Sequence, residues 1–396
     1  MMRAALVGVS GYGRWHLLML MEQAALGRVR LTAATIINQT QEAGICARLV
    51  RHGVEIFSDY DAMLAAHAGR LDLVLLPTGI HHHAPMTLAA LHAGAHVLVE
   101  KPLAPTLQEI DAIIAAETTT GRHVIVGFQD LFVPSVHAIQ RRVLAGEIGR
   151  LQRVVVTGQW PRDAAYFQRN NWAGRLRVGE SWVLDSPLNN GFAHFVMLGL
   201  FWASPVAGHA ATVQALEAEL YRTAAIESFD TACVRAETSG GATLECYVTH
   251  AGNTNRPPEV RLVGSAGGIT WRYEDNLTLH RDGQPLETER VPDQLSTRLQ
   301  VLDDALTFLE GQPRFVVRPT LARSHTQLID ALHEFFPTHS VAPDASGRLA
   351  GVDAAIATGA AHGVLFSELP FEWVRKNPRV VLRNYPKFAG VFGEIA

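Results

Sequence analysis

Ala4-Ala5-Leu6-Val7-Gly8-Val9-Ser10-Gly11-Tyr12-Gly13 is the stretch that decides the fold. Its first six residues are apolar throughout, the pattern of a strand buried on both faces. Glycines follow at 11 and 13, and Trp15 to Leu26 has a helical pattern. Strand, glycine turn and helix in that order form a cradle for a dinucleotide pyrophosphate. Gly8 permits the tight turn, and Gly13 lets helix and strand pack closely. The middle position, where the backbone approaches the pyrophosphate, is Ser10, with Gly11 beside it. The phosphates would rest on N–H groups opening the helix. Gly8, Ser10, Gly11, Tyr12 and Gly13 are therefore the first candidate cofactor residues.

Outward from this turn, short apolar runs alternate with helical patterns. Leu31 to Ile37, Leu71 to Leu76, His96 to Val99 and His123 to Phe128 read as strands, and Ala84 to Ala93 and Leu107 to Thr118 as helices. Continuous apolar strands separated by helices predict a parallel sheet covered on both faces, an α/β, Rossmann-type doubly wound domain over residues 1–128. The second strand ends Ile36-Ile37-Asn38-Gln39. An acid there would hold the adenosine ribose. Asn38 is neutral and bonds hydroxyls without repelling a 2'-phosphate, so NAD and NADP are both open.

After about residue 150 the texture changes. Arg153 to Gln159 reads as a strand, and Pro187 to Phe201 as a helix with proline in its first turn. Gln214 to Arg222, Thr231 to Glu237, Ala242 to His250, Glu259 to Val263 and Gly268 to Tyr273 alternate, joined by turns such as Ser239-Gly240-Gly241 and Asp282-Gly283. This predicts an α+β domain over 129–340 with a large, mostly antiparallel, open and half-exposed sheet. Gln294 to Leu309 and Thr320 to Phe336 read as amphipathic helices. Residues 341–396 form an extension expected to pack on that domain, and the tail from Pro378 has no assignment.

The 396 residues suffice for two cored domains, and a net charge of −4 gives no basic field for nucleic acid. The cysteines, Cys46, Cys233 and Cys246, form no CxxC pair, and three consecutive histidines, His81 to His83, cannot all reach one ion. No metal is expected. No leader pattern and no apolar run of about 18 residues is seen, so the chain reads as cytoplasmic and free of the membrane.

With the glycine turn, three further segments carry a resemblance. They are Thr78 to Pro85 (TGIHHHAP), Leu88 to Leu103 (LAALHAGAHVLVEKPL, containing Glu100-Lys101-Pro102) and Asp185. Together they resemble the Gfo/Idh/MocA family (glucose–fructose oxidoreductase, inositol dehydrogenase) over most of residues 1–335. The resemblance implies oxidation or reduction of sugars, cyclitols and related polyols by a nicotinamide cofactor. It also implies homodimers or homotetramers assembled through the C-terminal sheet. It puts Thr78, Gly79 and His83 in the cofactor cleft, Glu100 near the nicotinamide ribose, Lys101 facing the reacting carbon, and Pro102 in the turn. Lys101 also has a case of its own. It follows an apolar strand, at the end where such sheets bind ligands, and partial burial there favours the neutral amine that general base chemistry needs.

One position departs from the family pattern. Its Asp-x-x-x-His motif, on one face of a helix, reads Asp185-Ser186-Pro187-Leu188-Asn189 here. An amide accepts no proton at neutral pH. Lys101 would then be the central acid/base, tuned by Asp185, with Asn189 orienting a hydroxyl; another histidine could supply the function, or alcohol oxidation is altered. His194 would lie about 140° around the helix from Asn189, on the face of Asn190. The run Trp160 to Trp172 (WPRDAAYFQRNNW) reads as a substrate loop. Arg162, Tyr166, Arg169, Asn170 and Trp172 offer planar faces and forked donors, and Asn190 and His194 are further substrate candidates. Gln129, with Asp130, is a cleft candidate on the cofactor side. Hydride transfer to or from a carbohydrate-like substrate leads. A redox-neutral, cofactor-recycling glycosidase or epimerase and a non-catalytic cofactor sensor stay open.

Overall fold

A computed structural model of the chain describes residues 1–281, 283, 286–383 and 385–394. Asp282 of the expected Asp282-Gly283 turn and the last two residues of the tail lie outside the described residues. Two compact units are present: residues 1–104, 108–132 and 294–320 form one, and residues 105–107, 133–293 and 321–396 the other. Both are discontinuous, whereas the sequence reading drew contiguous domains with boundaries at 128 and 340. The chain runs β1 (Met2–Val7), α1 (Gly13–Ala25), β2 (Val29–Thr35), α2 (Ala43–Arg51), β3 (Glu55–Phe57), α3 (Tyr60–Ala66), β4 (Leu73–Leu76), α4 (Ile80–His92), β5 (His96–Val99), α5 (Leu107–Thr120) and β6 (Val124–Val126). It continues α6 (Pro134–Leu144), β7 (Leu151–Gln159), α7 (Ala164–Gln168), β8 (Arg177–Val178), β9 (Ser181–Trp182), α8 (Ala193–Trp202), β10 (Val213–Arg222), β11 (Thr231–Thr238) and β12 (Thr243–Thr249). Last come β13 (Arg256–Gly264), β14 (Gly267–Arg272), β15 (Asn276–Arg281), β16 (Glu287–Arg290), α9 (Gln294–Leu309), α10 (Pro319–Phe335), β17 (Thr338–Ser340), α11 (Val352–His362) and β18 (Val380–Val381).

The first unit is built on a six-stranded parallel sheet ordered β3-β2-β1-β4-β5-β6. The order reverses between β1 and β4, so the crevice at their carboxyl ends is the ligand position of such a sheet. Leu6, Ala34, Val74, Leu98 and Ile125 are fully buried, which is why these strands read as continuous apolar runs. The helix expected from Ala84 starts earlier, at Ile80 after Gly79, with Pro85 inside it. The fold class is as expected: a Rossmann-type parallel sheet and a second, mostly antiparallel one.

The second unit's sheet runs β16-β15-β14-β13-β7-β12-β11-β10-β17, with β18 beside β10. The β7–β12 and β10–β17 pairs are parallel, and the others on this path antiparallel. The expected half-exposed sheet needs correcting at its centre. α8 packs on one face, where a side chain at Gly199 would meet Leu244, Val154 and Val156. On the other face Val155, Tyr221, Cys233 and Tyr247 form a core with Leu349, Val352, Ala355, Ile356, Ala360 and Phe366 of the C-terminal segment. A Cβ at Gly359 would stand 2.6 Å from the Tyr247 ring, so α11 lies close against β12. The second face is therefore not exposed over the central strands; the chain's own extension, expected to pack on this domain, covers them.

A second correction concerns residues 187–192. The helix expected from Pro187 begins at Ala193. Before it the backbone forms successive turns, with Asn190 N donating to Ser186 O (2.9 Å) and Phe192 N to Pro187 O (2.7 Å). Asp185 and Asn189 consequently do not share a helical face, and neither do Asn190 and His194.

Candidate active site

In the first unit the glycine turn has the geometry its residues permit. Gly8 and Gly11 adopt φ of +85° and +53°, a region that L side chains seldom occupy. A Cβ on Gly13 would lie 2.4 Å from Gly8 O, so only glycine lets α1 pack there. No side chain caps α1, and its first turn holds no acid of its own, which suits an anion at the positive end of the helix. Tyr12 is turned inward: its hydroxyl donates to Gln129 Oε1 (2.6 Å) and accepts from Arg298 Nε (3.2 Å), and burial pushes its pKa up. Gln129 also donates to Gln294 Oε1.

At the end of β2, Asn38 Nδ2 donates to Ser10 Oγ (2.9 Å), and Ser10 Oγ donates to Glu42 Oε1 (2.7 Å). That hydroxyl holds the Glu42 carboxyl below its usual range. An acid thus stands beside the turn four residues after Asn38, just before α2. Sequence reasoning missed it because the chain turns back through residues 37–42.

Glu100 and Lys101 follow β5. Glu100 Oε1 accepts from His16 Nε2 (2.8 Å), and a Cβ at Gly127 would collide with the Glu100 carboxylate at 2.7 Å. His16 and Gly127, neither singled out in the sequence, thus seat Glu100. On the other side of Lys101, His83 Nδ1 donates to Pro102 O (2.7 Å). His83 is buried, which lowers its pKa, and its Nε2 lies 3.1 Å from Thr78 O, so the ring anchors both segments. Thr78 Oγ1 is buried without a hydrogen-bond partner. Gly79 immediately precedes α4. Among the described residues no cluster of three or more His, Cys, Asp or Glu side chains could hold a metal ion.

In the second unit Asp185, Asn190 and Tyr166 line a recess of about 10 Å³ together with His250. Asp185 accepts from Gly174 N (2.6 Å) and from Asn190 Nδ2 (3.0 Å). Leu184 before it adopts φ +50°, a strained setting for a bulky residue. Asn189 explains how the strain is held: its Nδ2 donates to Leu184 O (3.0 Å) and Val183 O (3.3 Å). Asn189 is 1% exposed and locks the loop, which corrects its assignment to a substrate hydroxyl. His194 sits in the first turn of α8, half-buried. His250 was missed because it ends a strand with no motif around it. Its Nδ1 donates to Trp160 O (2.8 Å), so Nε2 carries the lone pair, and burial lowers its pKa to about 3. Tyr166 lies between two guanidinium groups, Arg169 at 3.6 Å and Arg162 at 4.4 Å from the ring centre. Arg169 also stands 5.5 Å from the half-buried Trp172 ring, and Asn170 Oδ1 accepts from Ala173 N (2.7 Å) in a local turn.

A family model described as an oxidoreductase family with an NAD-binding Rossmann fold matches residues 2–128. That model is the NAD-binding domain of the Gfo/Idh/MocA oxidoreductase family, so residues 2–128 carry the family's cofactor domain. The chain is 27% identical over 302 residues to a 4-carboxy-2-hydroxymuconate-6-semialdehyde dehydrogenase of Sphingobium sp., covering 73% of the chain and 84% of that relative. It is 33% identical over 121 residues to an inositol 2-dehydrogenase of Pseudomonas syringae pv. syringae, covering 30% of the chain and 35% of the relative. Among solved structures, the WlbA dehydrogenase of Bordetella pertussis in complex with NADH and UDP-GlcNAcA has a similar fold, with TM-score 0.68 and 20% identity over 96% of this chain and 99% of that one.

With the NAD-binding Rossmann domain at residues 2–128, the chain binds a nicotinamide dinucleotide. The turn at Gly8 to Gly13, the uncapped start of α1 and the unpartnered Thr78 hydroxyl fit such a group. No helix among the described residues is long and apolar enough to cross a membrane.

Proposed function

We propose that this oxidoreductase transfers hydride between a nicotinamide cofactor and a secondary alcohol or ketone of a carbohydrate-like or related polyhydroxylated substrate, with Lys101 as the acid/base. The carrying observation is the fixed setting of Lys101. It stands at the carboxyl end of β5, between Glu100, held by His16 and Gly127, and Pro102, held by His83. Gly8, Ser10, Gly11 and Gly13 would receive the pyrophosphate, with Asn38 and Glu42 at the adenosine ribose and Thr78, Gly79 and Gln129 toward the nicotinamide side. When bound, the nicotinamide supplies the hydride acceptor or donor. In the oxidising direction Lys101 Nζ takes the hydroxyl proton as hydride leaves the same carbon, and in reduction it returns that proton. Asp185 acts by holding Gly174 and Asn190 in place.

A relative named for inositol supports the substrate class. The test is a screen of polyols, sugars and their oxidised forms with NAD and NADP. Lys101→Met should abolish turnover and leave the NADH dissociation constant unchanged. Wild-type turnover rates in that variant would remove Lys101 from its role. NADH that fails to accumulate with product would indicate a recycled cofactor instead of net oxidation.

A further inference from the structure

The second unit contains a cavity of about 760 Å³, in the size range of small-molecule sites. The substrate loop, the turn at Ala224 to Glu227 and the turn at Ser346 to Arg348 line it. Three arginines are among its lining residues, Arg162, Arg175 and Arg348. Arg175 is ion-paired with Glu227 at 2.8 Å. The other wall carboxylate, Asp163, accepts from Tyr166 N (2.9 Å).

Arg162 differs from Arg175. Among the described residues its guanidinium makes no ion pair and no hydrogen bond, and its buried Nε lacks a partner. It is held instead over the rings of Tyr166 (4.4 Å) and Trp160 (5.8 Å). Stacking fixes the plane of a guanidinium while leaving its edge donors available. Arg348 is fixed by other means. Its Nη1 donates to Arg162 O (2.8 Å) and His250 O (3.4 Å). Its turn is locked by Asp344, whose Oδ1 accepts from Ser346 N (2.8 Å) and Arg348 N (3.1 Å). Its Nε and Nη2 donors lie outside those bonds. Two preorganised guanidinium forks without carboxylates, on the wall of one cavity, match the planar, multi-oxygen geometry of an oxyanion.

We infer that this cavity receives the anionic end of the substrate, a carboxylate or phosphate, through Arg162 and Arg348. The inference rests on the dehydrogenase reading for the word substrate, but the cavity itself needs only the residues named. The C-terminal extension, by contributing Arg348, completes a binding site as well as covering a sheet face.

The experiment uses the full chain and matched probes: hexoses, the corresponding hexuronic acids and the hexose 6-phosphates, each with NAD and NADP. One acidic class should be turned over with kcat/KM at least about ten-fold above its neutral parent, and the preferred class tells carboxylate from phosphate. Arg162→Met and Arg348→Met should each raise KM for that acid about ten-fold or more, with kcat and NADH affinity little changed. Wild-type thermal midpoints would show that the variants are folded. Neutral parents used as well as the acids, or KM unaltered in both variants, would overturn the cavity's role and leave the dehydrogenase reading intact. If no probe is turned over, that reading fails by itself. Titration calorimetry with the same acids then decides the cavity: binding lost in Arg162→Met supports it, and no binding to the wild type overturns it.

Discussion

Ser10 Oγ donates to Glu42 Oε1 across 2.7 Å, tying the phosphate turn to the residue just before α2. The Glu42 side chain is only 11% exposed, so its carboxylate is a fixed part of the turn. A ribose 2'-hydroxyl can donate to such a group, whereas a 2'-phosphate is repelled by it. Glu42→Ala should narrow the preference for NAD over NADP by about ten-fold or more, as kcat/KM with each cofactor would show. A wild-type enzyme that favours NADP would remove Glu42 from the ribose.

Asn189 gives the opposite kind of prediction. Its amide serves the carbonyls of Val183 and Leu184, next to the strained φ of Leu184. Asn189→Ala should cost about 2 kcal/mol of stability in urea denaturation and leave KM for substrate unchanged. A raised KM at undiminished stability would mean that Asn189 touches substrate after all.

The covered sheet face makes a prediction about association. Tyr221, Cys233 and Tyr247 are fully buried beneath the C-terminal segment. Gly359→Val forces α11 away from Tyr247, so it should destabilise the chain by about 1–3 kcal/mol. A chain ending at Ser340 should self-associate through the exposed face, measurable by light scattering. A monomeric, well-folded truncated chain would contradict this account of the extension.

Acid should weaken the fold through its buried histidines, His250 and His333 among them. Burial lowers the pKa of His250 to about 3 and that of His333 to about 4. Below pH about 6.5 the unfolded chain binds protons that these folded residues refuse, so the unfolded state gains as pH falls. Their contribution is fully present above that pH and declines toward pH about 3 to 4, by about 1.4 kcal/mol per pH unit for each. Denaturation should show a loss of about 0.7 kcal/mol per histidine from pH 7 to 6 and about 1.2 kcal/mol from pH 6 to 5, and His333→Leu should remove one such share. Stability independent of pH over this range would refute the assignment.

Local order in the sequence determined the first unit. Continuous apolar strands, the glycine turn and the position of Lys101 depend on neighbours within a few residues, and such patterns survive in one dimension. The same holds for the strands of the second sheet, whose alternation fixed their existence but not their surroundings. What only the tertiary structure decided involves partners far apart in sequence. Glu42 meets Ser10 across 32 residues, and His16 meets Glu100 across 84. Tyr247 is covered by a helix more than a hundred residues later, which turned an expected exposed face into a core. Asn189, legible only as a departure from a motif, is set by two carbonyls that a left-handed Leu184 presents to it. Periodicity records which face of an element is apolar; it carries no record of which distant segment comes to cover that face.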